Sequence, residues 1–413
     1  MKLGMLAMAA VAAGGAFAGV GFVPYSMVEQ VDPENLPELL RCMDGTPVAD
    51  TKQWEEKRRP ELLEFFNANV YGIRPVERPA DIRFVPIADD AVLPGNIKRK
   101  QVRVEFSGPL KKWSFDILAF LPESSGPVPS FVLICNQSRE MHMDPELRSD
   151  SEFWPVRSIV KRGYAAVAFK SSQLASDSYP PYFENGESRI QDPDFTNDVY
   201  SCFAPHRGYR TWSSVSAWAW GASRVMDWIE TDRDFDAGHV AVIGHSRAGK
   251  TSLWAAASDS RFAMACVNNS GCCGAKLNHA AICMSETIAL DNNVNPHWFC
   301  RAYRQFNGKD HVLPFDQHWI AALIAPRLLY IASGSRDIPS GPWGEFLTAR
   351  HASPAWELYG KKGLVQDGAY KEDSPFQAGC VGYHLRKGGH ALAPYDWHRF
   401  MDFADRHGWR NAK

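Results

Sequence analysis

The chain has no excess of either charge. Its 45 Lys and Arg stand against 47 Asp and Glu, a net charge of -2. Such a balance leaves no electrostatic footprint for a nucleic acid or an anionic membrane surface. There is no internal repeat and no low-complexity linker, which excludes solenoids and tethered arrays. A disulfide framework is also missing. The nine cysteines, Cys42, Cys135, Cys202, Cys266, Cys272, Cys273, Cys283, Cys300 and Cys380, are odd in number and irregularly spaced. Several sit in apolar runs, such as Leu133-Ile134-Cys135, where a thiol behaves as a small hydrophobe. An oxidising compartment leaves room for one or two bridges. No His/Cys spacing reads as a metal site, and no motif asks for an organic cofactor.

Long hydrophobic runs are absent except at the amino end. Met1-Lys2 supplies a short positive region, and Leu3 to Val20 contains only Gly, Ala, Val, Leu, Met and Phe. Ala16-Phe17-Ala18 before Gly19 has the small-x-small form of a cleavage site. Residues 1–18 are therefore expected to be a secretory signal peptide. An uncleaved anchor is the competing reading, disfavoured because the run is rich in Ala and Gly rather than Leu. The mature chain is expected to be exported, to the periplasm or beyond the cell, with no membrane attachment after cleavage. A monomer is the expected state.

What is present is ordinary globular composition, 45% hydrophobic and 22% charged. At 413 residues the chain is long enough to bury a core without covalent staples. Aromatics reach 12%, with 14 Trp, which suits either a large core or a carbohydrate-facing surface. One helix is expected near Trp54–Val70, broken at Pro60 or starting there. Runs such as Gln101–Phe106 alternate and read as strands within 80–106. Short, wholly apolar runs follow at Ser130–Ile134, Tyr164–Phe169, His239–Ile243, Ala263–Val267 and Arg327–Ile331. Continuous apolar strands suit a parallel sheet buried on both faces. Between two of them, Val215, Trp218, Ala219, Ala222, Met226 and Ile229 recur at helical spacing, their aromatics read as core. The alternation of strand and helix predicts an α/β fold, a three-layer sandwich with a mostly parallel central sheet. Residues 19–413 are expected to form a single domain with an N-terminal extension. The polar, loop-rich stretch 171–211, with Tyr-Pro-Pro-Tyr at 179–182, reads as an insertion near the site.

The chemistry concentrates at one strand-to-helix turn. Strand His239–Ile243 runs into Gly244-His245-Ser246-Arg247-Ala248-Gly249-Lys250 and then a helical stretch to Ala257. A nucleophile elbow needs small residues two before and two after its serine, and Gly244 and Ala248 satisfy that, one methyl away from the strict G-x-S-x-G form. A serine here is often only a helix cap. Strand, glycine and helix together favour a nucleophile, with the Arg247 N–H aimed where an oxyanion would form. Its base should follow the last strand, Val381–Arg386; His390 does so after two glycines, whereas His384 lies within that strand and reads as structural. Asp337, the first carboxylate after Arg327–Ile331, is the candidate acid, with Glu345 and Asp291 as rivals. A second oxyanion donor is expected near Asn136-Gln137.

The run Val242-Ile-Gly-His-Ser-Arg-Ala-Gly-Lys-Thr251 resembles glucuronoyl esterases of carbohydrate esterase family 15, in their bacterial branch. Asn268-Asn-Ser-Gly271, Ser285-Glu-Thr287, Pro296-His-Trp-Phe-Cys300, Leu313-Pro-Phe-Asp-Gln-His318, Ala322-Leu-Ile-Ala-Pro-Arg327 and Gly344-Glu-Phe346 fit the same branch. Lys57-Arg-Arg-Pro-Glu61 and Val70-Tyr-Gly-Ile-Arg-Pro75 extend the likeness over nearly all of 40–405. The resemblance implies an α/β-hydrolase. It implies cleavage of the ester between 4-O-methyl-glucuronic acid on xylan and lignin alcohols, with no metal or cofactor. Ser246 and His390 match the family's nucleophile and base. Arg247 matches a residue that stabilises the oxyanion with its side chain as well as its backbone. Lys250 and Glu286 match residues that hold sugar hydroxyls; Trp298 lies in a matching motif. Two departures stand out. Some members carry the acid where this chain has Asn269, and many carry a Trp over the sugar where it has Pro339. Trp343 is the candidate substitute. The same serine, histidine and acid would serve a broader carbohydrate esterase, such as one removing acetyl groups. A non-catalytic carbohydrate-binding homologue is the third reading.

Overall fold

A computed structural model describes residues 33–177, 181–184, 187–190, 195–203, 208–282 and 284–410. The expected signal peptide, 1–18, lies outside the described residues, as does part of the 171–211 insertion. Twelve strands are described: β1 Arg83–Pro86, β2 Ala91–Leu93, β3 Ile97–Ser107, β4 Lys112–Pro122, β5 Val128–Cys135, β6 Ala165–Lys170, β7 Pro181–Glu184, β8 Glu187–Ile190, β9 Phe235–His245, β10 Met264–Asn268, β11 Leu328–Gly334 and β12 Val381–Arg386. Ten form one sheet in the order β1-β3-β4-β6-β5-β9-β10-β11-β12, with β2 on β3, while β7 and β8 pair separately. From β6 to β12 every neighbour is parallel; β1 to β4 join antiparallel.

The apolar runs make three layers because successive side chains on a strand point to opposite faces. On β5, Val132 and Ile134 join one core, while Phe131, Leu133 and Cys135 join the other. On β9, Val240 and Val242 face the first core and Ala241 and Ile243 the second. Helices Ser214–Ile229, Arg247–Ser258 and Pro342–Ala352 cover the first face; Val156–Lys161 and Pro394–Arg406 cover the second. Every residue of Ser214–Ile229 is buried, which answers its aromatic content. Most of the tryptophan is core too: Trp54, Trp154, Trp218, Trp220, Trp254, Trp356 and Trp397 are all under 2% exposed. The eight described cysteines are free thiols. Among the described residues no helix is long and apolar enough to cross a membrane.

Pro60 does not start a helix. Helical backbone runs from Thr51, capped by Asp50, to Tyr71, and wide π turns occupy Trp54–Arg58 and Asn67–Tyr71 around the α segment Arg59–Phe66. A proline ring crowds the carbonyl four residues back, and a wider turn ahead of it relieves that contact.

Because β9, β10, β11 and β12 are parallel neighbours, their carboxyl ends share one edge. In open α/β sheets that edge is where sites are built. The loops that leave it carry Ser246, Asn269, Asp337 and His390.

Candidate active site

Ser246 follows directly on β9 and caps the helix Arg247–Ser258. Its φ of 60° and ψ of -129° are sparsely populated for a residue with a Cβ, a strain of about 1–3 kcal/mol. The sheet holds it there: Ser246 N donates to Asn268 O on β10 at 2.9 Å. The turn is so tight that a Cβ on Gly244 would stand 1.8 Å from Ala248 O, so only glycine fits. Arg247 opens the helix, so its backbone N–H has no carbonyl four residues back and remains for an anion.

The imidazole comes from the loop after β12. Gly388, at φ 135°, lets that loop turn back over Arg386. His390 then lies with its ring 4.5 Å from that of His245, the residue next to Ser246. His390 Nδ1 donates to Asp337 Oδ2 at 2.7 Å, while its side chain keeps 42% exposure. Asp337 is 4% exposed and takes a second bond at 2.6 Å from Asn269 Nδ2. Burial alone would push the Asp337 carboxyl up. The His390 charge, with hydrogen bonds from His390, Asn269 and Ser340, outweighs it and holds the group below the usual carboxylate range. Burial likewise disfavours charge on His390, but Asp337 overrides it and leaves the imidazole more basic than usual. His245 behaves oppositely: burial, then the nearby His390, bring it down to about 3. It stays neutral, its Nδ1 within 2.6 Å of Asn268 Oδ1.

The rival acids serve elsewhere. Glu345 is wholly buried and braces the turn after β10, accepting from Ser270 N at 2.7 Å, Ser270 Oγ at 2.9 Å, Gly271 N at 3.0 Å and Ser333 Oγ at 2.6 Å. Burial lifts its pKa to about 7. Asp291 faces Lys250 Nζ at 3.3 Å, and burial raises its carboxyl as well. Its carboxylate and the thiols of Cys272 and Cys273 fall within 4.8 Å of one another, a set of metal-ligand type. The Lys250 ammonium beside Asp291 already supplies the positive charge that a metal would bring. His384 is structural, held by Asp396 at 2.8 Å and Tyr330 at 3.2 Å.

Asn269, just past β10, points its amide at Asp337, in the loop after β11, and donates to its carboxylate. Pro339 is also engaged, since its carbonyl accepts Glu286 N at 2.8 Å. Lys250 Nζ is buried, donates to Ser270 O at 2.8 Å and to Cys272 O at 2.5 Å, and lies 3.6 Å from Glu286 Oε2. The Trp298 ring is 5.5 Å from the same ammonium. Trp343 stands apart from that cluster, stacked on Phe346 at 5.1 Å with Tyr370 against its edge. Asn136 Nδ2 donates to His245 O at 3.2 Å, and Asn136 O accepts Arg247 Nη2 at 3.4 Å. Asp177 was not singled out in the sequence. It accepts Arg247 Nε, His297 Nε2 at 3.2 Å and Trp298 Nε1 at 3.0 Å. Its only signal was membership of the polar insertion.

A strained serine at the carboxyl edge of a mostly parallel sheet, beside an imidazole braced by a buried carboxylate, is the arrangement of an α/β-hydrolase that cleaves carboxylic esters. The comparisons narrow this. The family profile described as glucuronyl esterase, fungi, matches residues 132–360. Carbohydrate esterase MZ0003, from an unknown prokaryotic organism, is 35% identical over 408 residues, 92% of this chain and 90% of that protein. The solved glucuronoyl esterase from Solibacter usitatus superposes with a TM-score of 0.79 at 34% identity, covering 92% of this chain and 99% of that one. A structure described as a promiscuous CE15 esterase from the marine bacterial metagenome gives 0.77 at 32% identity, covering 94% and 100%. The chain belongs to the glucuronoyl esterases, carbohydrate esterase family 15.

Proposed function

We propose that this esterase cleaves the ester between 4-O-methyl-glucuronic acid of glucuronoxylan and lignin alcohols, through an acyl-enzyme on Ser246. The hydrogen bond of His390 to Asp337, next to the elbow, carries the reading. A relative from Schizophyllum commune, 26% identical over 329 residues, is named 4-O-methyl-glucuronoyl methylesterase, which supports the substrate class.

Ser246 Oγ attacks the C6 carbonyl while His390 Nε2 takes its proton. The Asp337 carboxylate keeps the Nδ1 proton in place and offsets the imidazolium charge. The tetrahedral oxyanion meets the Arg247 N–H and guanidinium. His390 returns the proton to the leaving alcohol. Water, activated by the same imidazole, then releases glucuronate. Lys250, Glu286 and Trp298 form the sugar-holding cluster in this reading, with Trp343 the candidate further aromatic. The apolar, small-residue segment 1–18 supports export of the mature chain.

The test is the Ser246→Ala variant on methyl and benzyl glucuronate. Release of glucuronate is expected to vanish, and retained turnover would sink the mechanism. Acetylated xylan and p-nitrophenyl acetate belong in the same panel, because a relative described as promiscuous favours a broader ester range as the second reading.

A further inference from the structure

We propose that Asp177 is the positioning residue that joins the oxyanion arm to the sugar platform, so that sugar recognition and ester cleavage share one anchor. The proposal rests on the reading of Ser246 and Arg247 given above.

One carboxylate is shared by three side chains from two distant segments. Oδ2 takes Arg247 Nε, and Oδ1 takes both His297 Nε2 and Trp298 Nε1. Its side chain is only 15% exposed, so these bonds form in a poorly solvated place where charge-assisted pairs are strong. Burial disfavours the charge on Asp177, yet the His297 bond and the Arg247 guanidinium more than compensate. The group therefore remains ionised through neutral pH.

Consider what Arg247 would do without it. A guanidinium on a long, flexible stem samples many rotamers, and ordering it costs conformational entropy. Here its Nε is fixed by Asp177 and its Nη2 by Asn136 O. Two bonds at different nitrogens set the plane of the fork. Among the described residues nothing engages Nη1, which is left for developing negative charge. Preorganisation of this kind is what makes an oxyanion donor effective.

The other oxygen works on the indole. Trp298 is 8% exposed, its N–H edge held by Asp177 and its face set against the Lys250 ammonium. Lys250 in turn lies beside Glu286. Thus Arg247, Asp177, Trp298, Lys250 and Glu286 form one connected polar chain from the elbow to the residues assigned to the sugar. Arg247 and Lys250 share one helix, and Asp177 adds a side-chain link between the two halves. An ester without a sugar uses the first half and not the second.

The experiment is a double-mutant cycle of Asp177→Asn and Arg247→Ala, with kcat and KM read on benzyl glucuronate and on p-nitrophenyl acetate. Asparagine keeps the shape but turns an N–H₂ toward either Arg247 or the Trp298 side. Removing an oxyanion donor outright costs about 10²–10³ in kcat. Mispositioning it is expected to cost about 10- to 100-fold on benzyl glucuronate. On p-nitrophenyl acetate, which uses only the oxyanion arm, the same change in the Arg247→Ala background should alter kcat by less than about threefold, because the arm it positions is gone. A purely structural role predicts the opposite, losses that multiply, and that result overturns the proposal. The loss on benzyl glucuronate should also exceed that on p-nitrophenyl acetate by at least about threefold. Equal losses overturn the coupling to the sugar platform. Labelling of Ser246 by a fluorophosphonate, measured in every variant, reports that the site is folded. If the wild type labels yet ignores glucuronate esters, the substrate reading fails. The Arg247 half of the cycle is then still decided on the acetate.

Discussion

Replacing Asp337 by Asn isolates the charge of the acid from its hydrogen bonds. Both His390 Nδ1 and Asn269 Nδ2 donate to the same oxygen, Oδ2, at 2.7 and 2.6 Å. An asparagine with its carbonyl in that place still accepts both, and its amide replaces the other oxygen. The imidazole tautomer is thus preserved, and the change removes chiefly the negative charge. Two unit charges about 4 Å apart, at an effective dielectric of about 20, attract by about 4 kcal/mol. Only part of the imidazolium charge has developed at the barrier, so about 3–4 kcal/mol of stabilisation disappears. At 1.36 kcal/mol per decade, kcat should fall about 10²- to 10³-fold. That is less than the roughly 10⁴-fold seen where the same substitution also sets the wrong tautomer. A second signature has a definite sign. Asp337 raises the His390 pKa, and catalysis needs the neutral ring, so activity climbs as pH rises through that pKa. Without the carboxylate the pKa drops, and the acid limb of kcat/KM should move to lower pH. The assay is kcat and kcat/KM on benzyl glucuronate from pH 5 to 9. A loss under threefold, or an acid limb that moves toward alkali, would refute the assignment of Asp337.

The rival acid makes the control. Glu345→Gln can still accept from Ser270 and Gly271 and donate to Ser333, so kcat should stay within about threefold of wild type. Its folded-state pKa, about 7, lies above its ordinary value of 4.5. The stability it adds is therefore full below about 4.5 and lost as pH rises to about 7, so the variant's melting temperature should depend less on pH between about 4.5 and 7. Gly244→Ala would drive a methyl to 1.8 Å from the Ala248 carbonyl, which must displace the elbow. Urea unfolding should report at least about 3 kcal/mol lost, with Ser246 labelling slowed in whatever remains folded.

The chain's own pattern determined a good deal. Apolar runs too short for helices and too continuous for a half-wet sheet could only be strands covered on both faces, and β5, β9 and β10 divide their residues between two cores accordingly. The elbow was legible because its constraints are local: Gly244, Ser246 and Ala248 lie within five positions, and a turn that tight tolerates few alternatives. His390 and Asp337 were legible as residues just past strands, since parallel order brings such ends to one edge. Tertiary structure decided between the candidate carboxylates for the ring. Position after a strand favoured Asp337 but left Glu345 and Asp291 as rivals, and only the register of β10, β11 and β12 puts the first against His390 and the second under Ser270. It alone converted Asn269 from a missing acid into a donor. Asp177 was invisible for the same reason: its partners, Arg247, His297 and Trp298, lie 70 to 121 positions away. No periodicity encodes a contact that exists only after three segments have been packed together.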